Sequence, residues 1–443
     1  MTDTYLKNIT PDSLSGLIFG FEGIYNTLVL LNGPTGCKFY HSATSDNQTL
    51  RQIEFDPHNF PLIWYFGQPR VPCTYLDKRD YVYGSEDKLK DAIASLTASA
   101  KFDLLVIINS PGAALIGDDL PRIASECGLS VPVITVESPG YSEDIFRGYQ
   151  TACRYMVEAL ADGGSSTLAE GPSPGSSSRT LVEGTSPSPH GKGKRVNLLG
   201  LSIFQKYFQG DLAEMTRLLA LCGIDVHCSL GCECSVDQIS TLADADLNIV
   251  VDPDYGLPVA EYLKEKLGMP YLAADGLPIG FAETEKFFTQ ICDTLSCDVS
   301  KLIEDSERAR ARCYLYLSRV NSLTGRPRGV KYAVHGSPAQ ALGYSRFLTK
   351  YFGMTADVIS ITDTGDVNCD TSLATEKDIY HTDAELVFAD GNIIANLKGR
   401  HQRFTGIEIS MPSLGYQDVI PKTHLGVSGG LLLCEQILNG MLY

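Results

Sequence analysis

Short apolar runs, leucine-rich or β-branched, recur along the chain, each followed by a polar or glycine loop and then by a stretch of helical period. The runs predict strands at Asn26–Leu31, Phe102–Ile108, Val131–Val136, Val196–Leu201, Leu247–Val251, Val330–Val334, Ala356–Ile361 and Leu386–Ala389. Helices are predicted at about Ser85–Ser99, Asp144–Leu160, Asp211–Leu221, Leu257–Leu267 and Ala339–Tyr351. The strands are continuously apolar instead of alternating, and helices separate them. That pattern predicts parallel sheets covered on both faces.

The repeated theme gives an α/β fold class with three Rossmann-like domains around a central cleft, at residues 1–160, 195–300 and 328–443. A segment at 301–327, with a helix around Lys301–Val320, bridges the last two. Residues 161–194 hold runs such as Gly171-Pro172-Ser173-Pro174-Gly175 and too few apolar side chains to offset chain entropy, which predicts a flexible linker. Ligands of such sheets bind at the carboxyl ends of the strands, so the loops there are where chemistry is sought.

Composition narrows the function classes. At 443 residues the chain is long enough for two to four domains. Its longest uncharged apolar runs fall far short of the roughly 20 residues a membrane span needs. The opening residues Met1–Tyr5 lack a basic stretch leading into an apolar one, so the cytoplasm is the expected compartment. A formal charge of −17 argues against nucleic acid as partner and fits docking to a basic protein surface. Thirteen cysteines, an odd number, do not suggest a disulfide framework in a reducing compartment. Cys153, Cys292, Cys313 and Cys434 fall in helical apolar patterns and are expected in the core; cysteines in loops after strands are the candidates for metal chemistry.

One such loop is Asn32-Gly33-Pro34-Thr35-Gly36-Cys37, directly after the first predicted strand. Its glycines let the backbone fold closely around an inorganic cluster; read alone, it is a weak signal, and a strand-to-helix turn with an incidental buried cysteine accounts for it. A second segment, Asn109-Ser110-Pro111-Gly112 running on to Gly117-Asp118-Asp119, follows the next buried strand, with Asp118 and Asp119 placed to complement a helix dipole. Further along come Tyr83-Gly84-Ser85-Glu86-Asp87, Leu267-Gly268-Met269-Pro270-Tyr271 and Leu425-Gly426-Val427-Ser428-Gly429-Gly430. In order and spacing these stretches resemble the nitrogenase component 1 family: molybdenum-iron protein subunits, their cofactor-assembly scaffolds and the dark protochlorophyllide and chlorophyllide reductases.

The resemblance implies a [4Fe–4S] or related iron–sulfur cluster shared between two homologous or identical subunits, each giving up to three cysteines. Matched by position, Cys37 with its neighbour Gly36 keeps the middle ligand; Pro111 stands where another is expected and cannot ligate. Asp12, twenty-five residues before Cys37, stands at the first ligand position, where a carboxylate resembles the substitution in a protochlorophyllide reductase subunit. The alternative for Asp12 is a helix N-cap. Cys73, shortly after the lone Trp64, falls between the usual positions and is a candidate replacement thiolate. The anchors of the large molybdenum cofactor are not matched: Asp252 stands about where its cysteine belongs, and no histidine lies around Ile409-Ser410-Met411-Pro412. A second metal or cluster site is conceivable at Cys228, Cys232 and Cys234, three thiols in seven residues, against small residues lining the cleft.

No Gly-x-x-x-x-Gly-Lys-Ser/Thr phosphate loop occurs, so ATP hydrolysis belongs to a separate protein. His335-Gly336-Ser337-Pro338 opens a predicted helix whose amides suit an anion. The resemblance implies an oxidoreductase: a subunit of a nitrogenase-like reductase, accepting electrons from an ATP-dependent iron–sulfur reductase through an interface cluster. From there they pass to a substrate or cofactor in the inter-domain cleft. Alternatives are a non-catalytic cluster-assembly scaffold, or a cluster-free binding module that keeps only the fold.

Overall fold

The structure is a computed structural model describing residues 11–37, 71–99, 101–137, 143–161, 194–362, 371–400, 402–415 and 418–442. Trp64 and nearly all of the predicted linker lie outside them.

Three parallel sheets follow one another along the chain. The first is built from β1 (Thr27–Asn32), β2 (Leu104–Asn109) and β3 (Val133–Glu137), in that spatial order. Every residue of β1 and β2 is buried, as continuous apolar runs require. Helix α1 (Ser13–Glu22) packs along α4 (Ile145–Met156) on one face. On the other, α2 (Glu86–Ser99) and α3 (Leu120–Glu126) cover Leu28, Leu30, Leu105 and Ile107.

The second sheet has the order β5-β4-β6-β7, from β4 (Lys194–Leu199), β5 (Ile224–Ser229), β6 (Leu247–Val250) and β7 (Tyr271–Ala273). Its helices are α5 (Phe208–Leu221) and α6 (Pro253–Leu267). After α7 (Gly280–Leu295) and the 25-residue α8 (Ser300–Thr324) comes the third sheet, ordered β11-β10-β8-β9. It comprises β8 (Lys331–Gly336), β9 (Thr355–Ile361), β10 (Leu386–Asp390) and β11 (Thr405–Ser410), with α9 (Pro338–Arg346) and α10 (Gly391–Gly399). The last helix, α11 (Gly426–Leu442), turns back and packs on α5, α7 and α8, tying the chain's end to its middle.

Two expectations shift. The predicted helix Leu257–Leu267 begins at Pro253, because the Asp252 side chain caps it by accepting the Asp254 N–H at 3.0 Å. The strand β5, absent from the apolar runs above, reaches Ser229, so Cys228 is a strand residue paired with Asn197 and not a loop cysteine. Among the described residues no helix is long and apolar enough to cross a membrane.

Candidate functional site

The carboxyl edge of the first sheet is a row of polar side chains in register: Asn32 opposite Asn109, Asn109 opposite Glu137. Asn32 Nδ2 donates to Asn109 Oδ1 at 2.8 Å, and Asn109 Nδ2 to both Glu137 oxygens at 2.9 Å. Asn32 also donates to Ser85 Oγ at 3.2 Å, and Ser85 donates through its N–H and Oγ to Asp118 Oδ2 at 2.6 and 2.7 Å. The two aspartates thus divide their work: Asp119 caps α3, while Asp118 ties its loop to the start of α2.

This row seats the cysteine loop. Segment 71–76 runs beside β1: Leu31 N–H donates to Pro72 O at 2.9 Å, Thr74 N–H to Leu31 O at 3.1 Å and Leu76 N–H to Gly33 O at 2.9 Å. Thr74 Oγ1 accepts from Gly33 N–H at 3.0 Å and donates to Asn32 Oδ1 at 2.8 Å. Cys73 is thereby held against the glycine loop, its Sγ 3.2 Å from Gly33 O. Cys37 ends the single helical turn Thr35–Cys37 and is 6 % exposed. A Cβ on Gly33 would sit 2.7 Å from Ser110 Oγ, so only glycine admits Ser110 at this turn. Ser110 caps the short turn Pro111–Ala114, which puts Pro111 at the helix start instead of a ligand.

Tyr81 lies close to the Ser110–Gly112 turn. Its hydroxyl lies 3.1 Å from where a Cβ on Gly112 would stand. Its pKa is raised, by burial first and then by the sulfurs of Cys37 and Cys73. Sequence reasoning missed Tyr81; the signal for it was its position just before the Tyr83-Gly84-Ser85 stretch.

Asp12 is the N-cap of α1: its Oδ1 accepts from Ser15 N–H at 3.1 Å and Ser15 Oγ at 3.2 Å. Its backbone also bridges Asp144, itself the N-cap of α4 after β3, so Asp12 stands at the carboxyl side of the same sheet as the thiols. The structure therefore sets Cys37 and Cys73 against one glycine turn, leaves Gly36 exposed beside Cys37, and gives Asp12 a capping role beside Asp144.

Cys228, Cys232 and Cys234 behave otherwise. All three are buried in the main core. Cys228 and Cys234 share a thiol–thiol hydrogen bond that raises the Cys228 pKa, whereas burial is the chief cause of the raised Cys232 pKa. Among the described residues no group of three or more His, Cys, Asp or Glu is arranged to hold a metal ion, which applies to this triple as it does to Cys37, Cys73 and Asp12. The loop instead joins the first sheet to the second: Tyr25 N–H donates to Cys234 O at 2.7 Å, and Cys234 N–H to Gly23 O at 3.3 Å. Small thiols suit so close an approach, and Gly231, at φ +76°, tucks under the Tyr149 ring. Cys153, Cys292, Cys313 and Cys434 are core residues, as their helical pattern predicts.

The second and third sheets meet through buried charge. Lys206, in the loop after β4 and with only 3 % of its side chain exposed, lies 2.9 Å from Asp418 Oδ2 and 3.4 Å from Glu408 Oε2 of β11. It also donates to Ser413 Oγ at 2.6 Å. Burial favours the neutral acid at Asp418, but hydrogen bonds from Lys422 and Lys206 outweigh it and the pKa falls below the usual range. Asp252 is a buried helix cap that accepts from Gln205 Nε2 at 3.0 Å, and burial with the nearby Asp254 pushes its pKa well up. The α9 start is already served: Ala339 N–H donates to Asp254 Oδ2 at 2.8 Å, so the anion expected there is an aspartate of this chain. A lone lysine in a loop carries no sequence signal, which is why Lys206 was not anticipated.

His424 is buried beside this junction, with Gln436 Oε1 2.9 Å from Nε2 and the Tyr344 hydroxyl 2.7 Å from Nδ1. The amide oxygen only accepts, so Nε2 carries the proton and Nδ1 accepts from the tyrosine: a neutral ring. Burial, the largest cause, lowers its pKa to about 3. Above about pH 6.5 the ring is neutral whether folded or unfolded. As pH falls from there towards 3 the unfolded chain takes a proton that the folded ring refuses, and stability is lost by up to ~1.4 kcal/mol per pH unit. Asp211, which burial raises to about 7, has the opposite sign: its contribution is full below about pH 3.8 and is lost as pH rises through 7. The variant His424→Asn isolates the ring. Its deficit in urea-unfolding free energy relative to the parent will shrink by roughly 2 kcal/mol between pH 7 and pH 5. A deficit independent of pH would show that His424 does not titrate in this way.

The family model for nitrogenase component 1 type oxidoreductases matches residues 14–393. A light-independent protochlorophyllide reductase subunit from Synechococcus sp. (strain CC9605) is 27 % identical over 307 residues, covering 67 % of this chain and 53 % of that protein. Its counterpart from Methylobacterium radiotolerans is 27 % identical over 290 residues, covering 65 % and 49 %. The chain thus spans about half the length of the curated relatives it matches. Among solved structures, nitrogenase Cp1 at pH 6.5 superposes with a TM-score of 0.69 at 16 % identity, over 98 % of this chain and 92 % of that one, which establishes the shared three-sheet fold. Paired loops at one sheet edge, three parallel sheets and a match to the family model over most of the chain agree: the protein belongs to the nitrogenase component 1-type oxidoreductase family.

Proposed function

We propose that this chain is one subunit of a nitrogenase-like reductase and holds half of an interface iron–sulfur cluster through Cys37 and Cys73, with Asp12 as a carboxylate ligand beside them. The observation that carries the reading is the convergence of two sequestered thiols on one glycine turn at the carboxyl edge of a parallel sheet. The donor set fits the group: soft sulfur ligands, a glycine loop that admits close approach, and too few ligands for a whole cluster. On the segments next to the Ser110–Gly112 turn, Val82, Tyr83 and Leu115 are 72 %, 84 % and 88 % exposed, apolar side chains suited to burial under a second component 1-type subunit.

A cluster there supplies one-electron storage and transfer. The chain's own residues prepare for it. Ligation requires Cys73 to give up the proton now shared with Gly33 O. The Asn32–Asn109–Glu137 row fixes the loop from below. In this reading an ATP-dependent iron–sulfur reductase delivers the electrons, and they leave for a substrate held where the sheets meet. The protochlorophyllide reductase relatives make a tetrapyrrole the first substrate to try.

The test is anaerobic purification of the chain with its partner subunit, followed by iron and sulfide analysis and EPR. Brown, iron-containing protein whose signal is lost in Cys37→Ala and altered in Cys73→Ala and Asp12→Ala is expected, with protochlorophyllide reduced when reductase and ATP are added. Colourless, iron-free protein would sink the proposal; bound iron without any catalytic turnover would point to an assembly scaffold.

A further inference from the structure

Among the described residues every cysteine thiol is free, and three pairs share thiol–thiol hydrogen bonds: Cys222 with Cys292, Cys228 with Cys234, and Cys313 with Cys434. Two of these pairs are sealed in the core. Cys228 and Cys234 are fully buried, and Cys313 and Cys434 nearly so. The pair Cys222–Cys292 differs, because a third thiol, Cys297, lies beside it and is partly exposed.

The way two helices end brings the three together. Cys222 closes α5, its N–H bonded to Leu219 O at 2.9 Å. Cys292 sits in the last turn of α7, which Ser296 ends in the left-handed conformation at φ +57°. The chain then folds back, and Cys297 N–H donates to Cys292 O at 2.9 Å. A bond of this kind, from the second residue past a helix to its last turn, brings those two side chains into contact. Cys292 thus neighbours both a buried thiol and a partly exposed one.

We propose that Cys222 and Cys292 are a reversible oxidation site, closed to a disulfide by a low-molecular-weight disulfide that enters through Cys297. Burial is the chief cause of the raised pKa of both paired thiols, so neither is the thiolate that begins exchange. Cys297 attacks the small disulfide: one of its sulfurs bonds to Cys297 and the other leaves as a thiol. Cys292 then bonds to the Cys297 sulfur and displaces the second small thiol. Finally Cys222 attacks the Cys292 sulfur and releases Cys297. In sum Cys222 and Cys292 give up two electrons and two protons, the small disulfide becomes two thiols, and Cys297 is regenerated. The second and third steps occur within one molecule, where proximity offsets a low thiolate fraction. Between the two cysteines run β5, β6, α6 and β7, so oxidation closes most of the second domain into one covalent loop. The site is separate from the first sheet and does not depend on what Cys37 and Cys73 hold.

The test is treatment of the full chain, purified anaerobically, with oxidised glutathione, followed by acid quenching, alkylation of free thiols and peptide mass spectrometry. A Cys222–Cys292 link is expected as the first internal disulfide, reversed by excess reduced glutathione. It is read in the parent chain, so it does not depend on whether a Cys222 or Cys292 variant folds. Cys297→Ser will form the same link at least about tenfold more slowly, whereas Cys127→Ser, at another partly exposed thiol, will leave the rate unchanged. A chain that gains no internal link, or that links another pair first, would overturn the site. An unchanged rate in Cys297→Ser would overturn its role as the point of entry.

Discussion

Lys206→Met protein will unfold about 3–5 kcal/mol more easily than its parent in urea, a loss typical of removing one partner from a buried ion pair. The reason is what the substitution leaves behind. Glu408, with 1 % of its side chain exposed, accepts from Leu414 N–H at 3.2 Å and Gly415 N–H at 2.7 Å and from the Ser413 hydroxyl, but Lys206 is its cationic partner. Without the ammonium group its carboxylate has neither counter-charge nor water, and Ser413 loses the donor that holds it. Asp418 suffers less, since Lys422 still pairs with it at 2.8 Å. Adding Glu408→Gln to Lys206→Met should therefore recover part of the loss, because the neutral amide oxygen can still accept from the two backbone N–H groups. Since the pair links the loop after β4 to β11, local opening by hydrogen exchange should rise at both places together. If Lys206→Met costs no more than an exposed lysine substitution, the junction is not held by this pair.

Gly148→Ala will cost about 3 kcal/mol or more, although alanine is the better helix former. Helices α1 and α4 cross so closely that a Cβ on Gly148 would land on the carbonyl oxygen of Ser13, and one on Gly16 on that of Ile145. Both obstacles are backbone, so no side chain can swing aside; the helices must separate. Gly399 in α10 is the control: nothing lies within 4 Å of its added Cβ, and Gly399→Ala should stabilise by roughly 0.5–1 kcal/mol. Separating α1 from α4 would also break the Asp12–Asp144 bridge. The variant should thus lose iron at lower denaturant concentration than it unfolds, if Asp12 is a ligand. Equal, small effects at Gly148 and Gly399 would refute the close crossing.

Much of the architecture was legible because a buried parallel strand leaves a continuous apolar run, as Thr27–Asn32 and Leu104–Asn109 do. β7, three residues long and only half-buried, left no such run, and β11 reads Thr-Gly-Ile-Glu-Ile-Ser, whose buried glutamate looks like a surface residue until Lys206 is known to face it. At the site, Cys37 was readable from its glycines, and the pairing of its loop with Ser110-Pro111-Gly112 from the strands before each. The neighbourhood of Cys73 was not, because segment 71–76 meets β1 from far along the chain. For the triple Cys228, Cys232 and Cys234, spacing in sequence does not say how the thiols face one another. Cys228 lies on a strand, and the left-handed residues Gly231 (φ +76°) and Glu233 (φ +52°) turn the chain after it, so the thiols that share a hydrogen bond are Cys228 and Cys234.

The polar row across the first sheet has a bearing on how the chain finds its fold. Strands reading Leu-Val-Leu-Leu and Leu-Leu-Val-Ile-Ile are apolar on both faces, so sliding one past another by a residue would bury about as much hydrocarbon as the native alignment. Only the side chains at the strand ends distinguish the alignments. Shifted by one position, Asn32 would lose Asn109, and Asn109 would lose Glu137, leaving buried amides without partners at about 1–3 kcal/mol each. Asn32, Asn109 and Glu137 therefore act as the index marks of an otherwise unmarked sheet, and the loop bearing Cys37 comes to rest opposite Cys73 only when those marks line up.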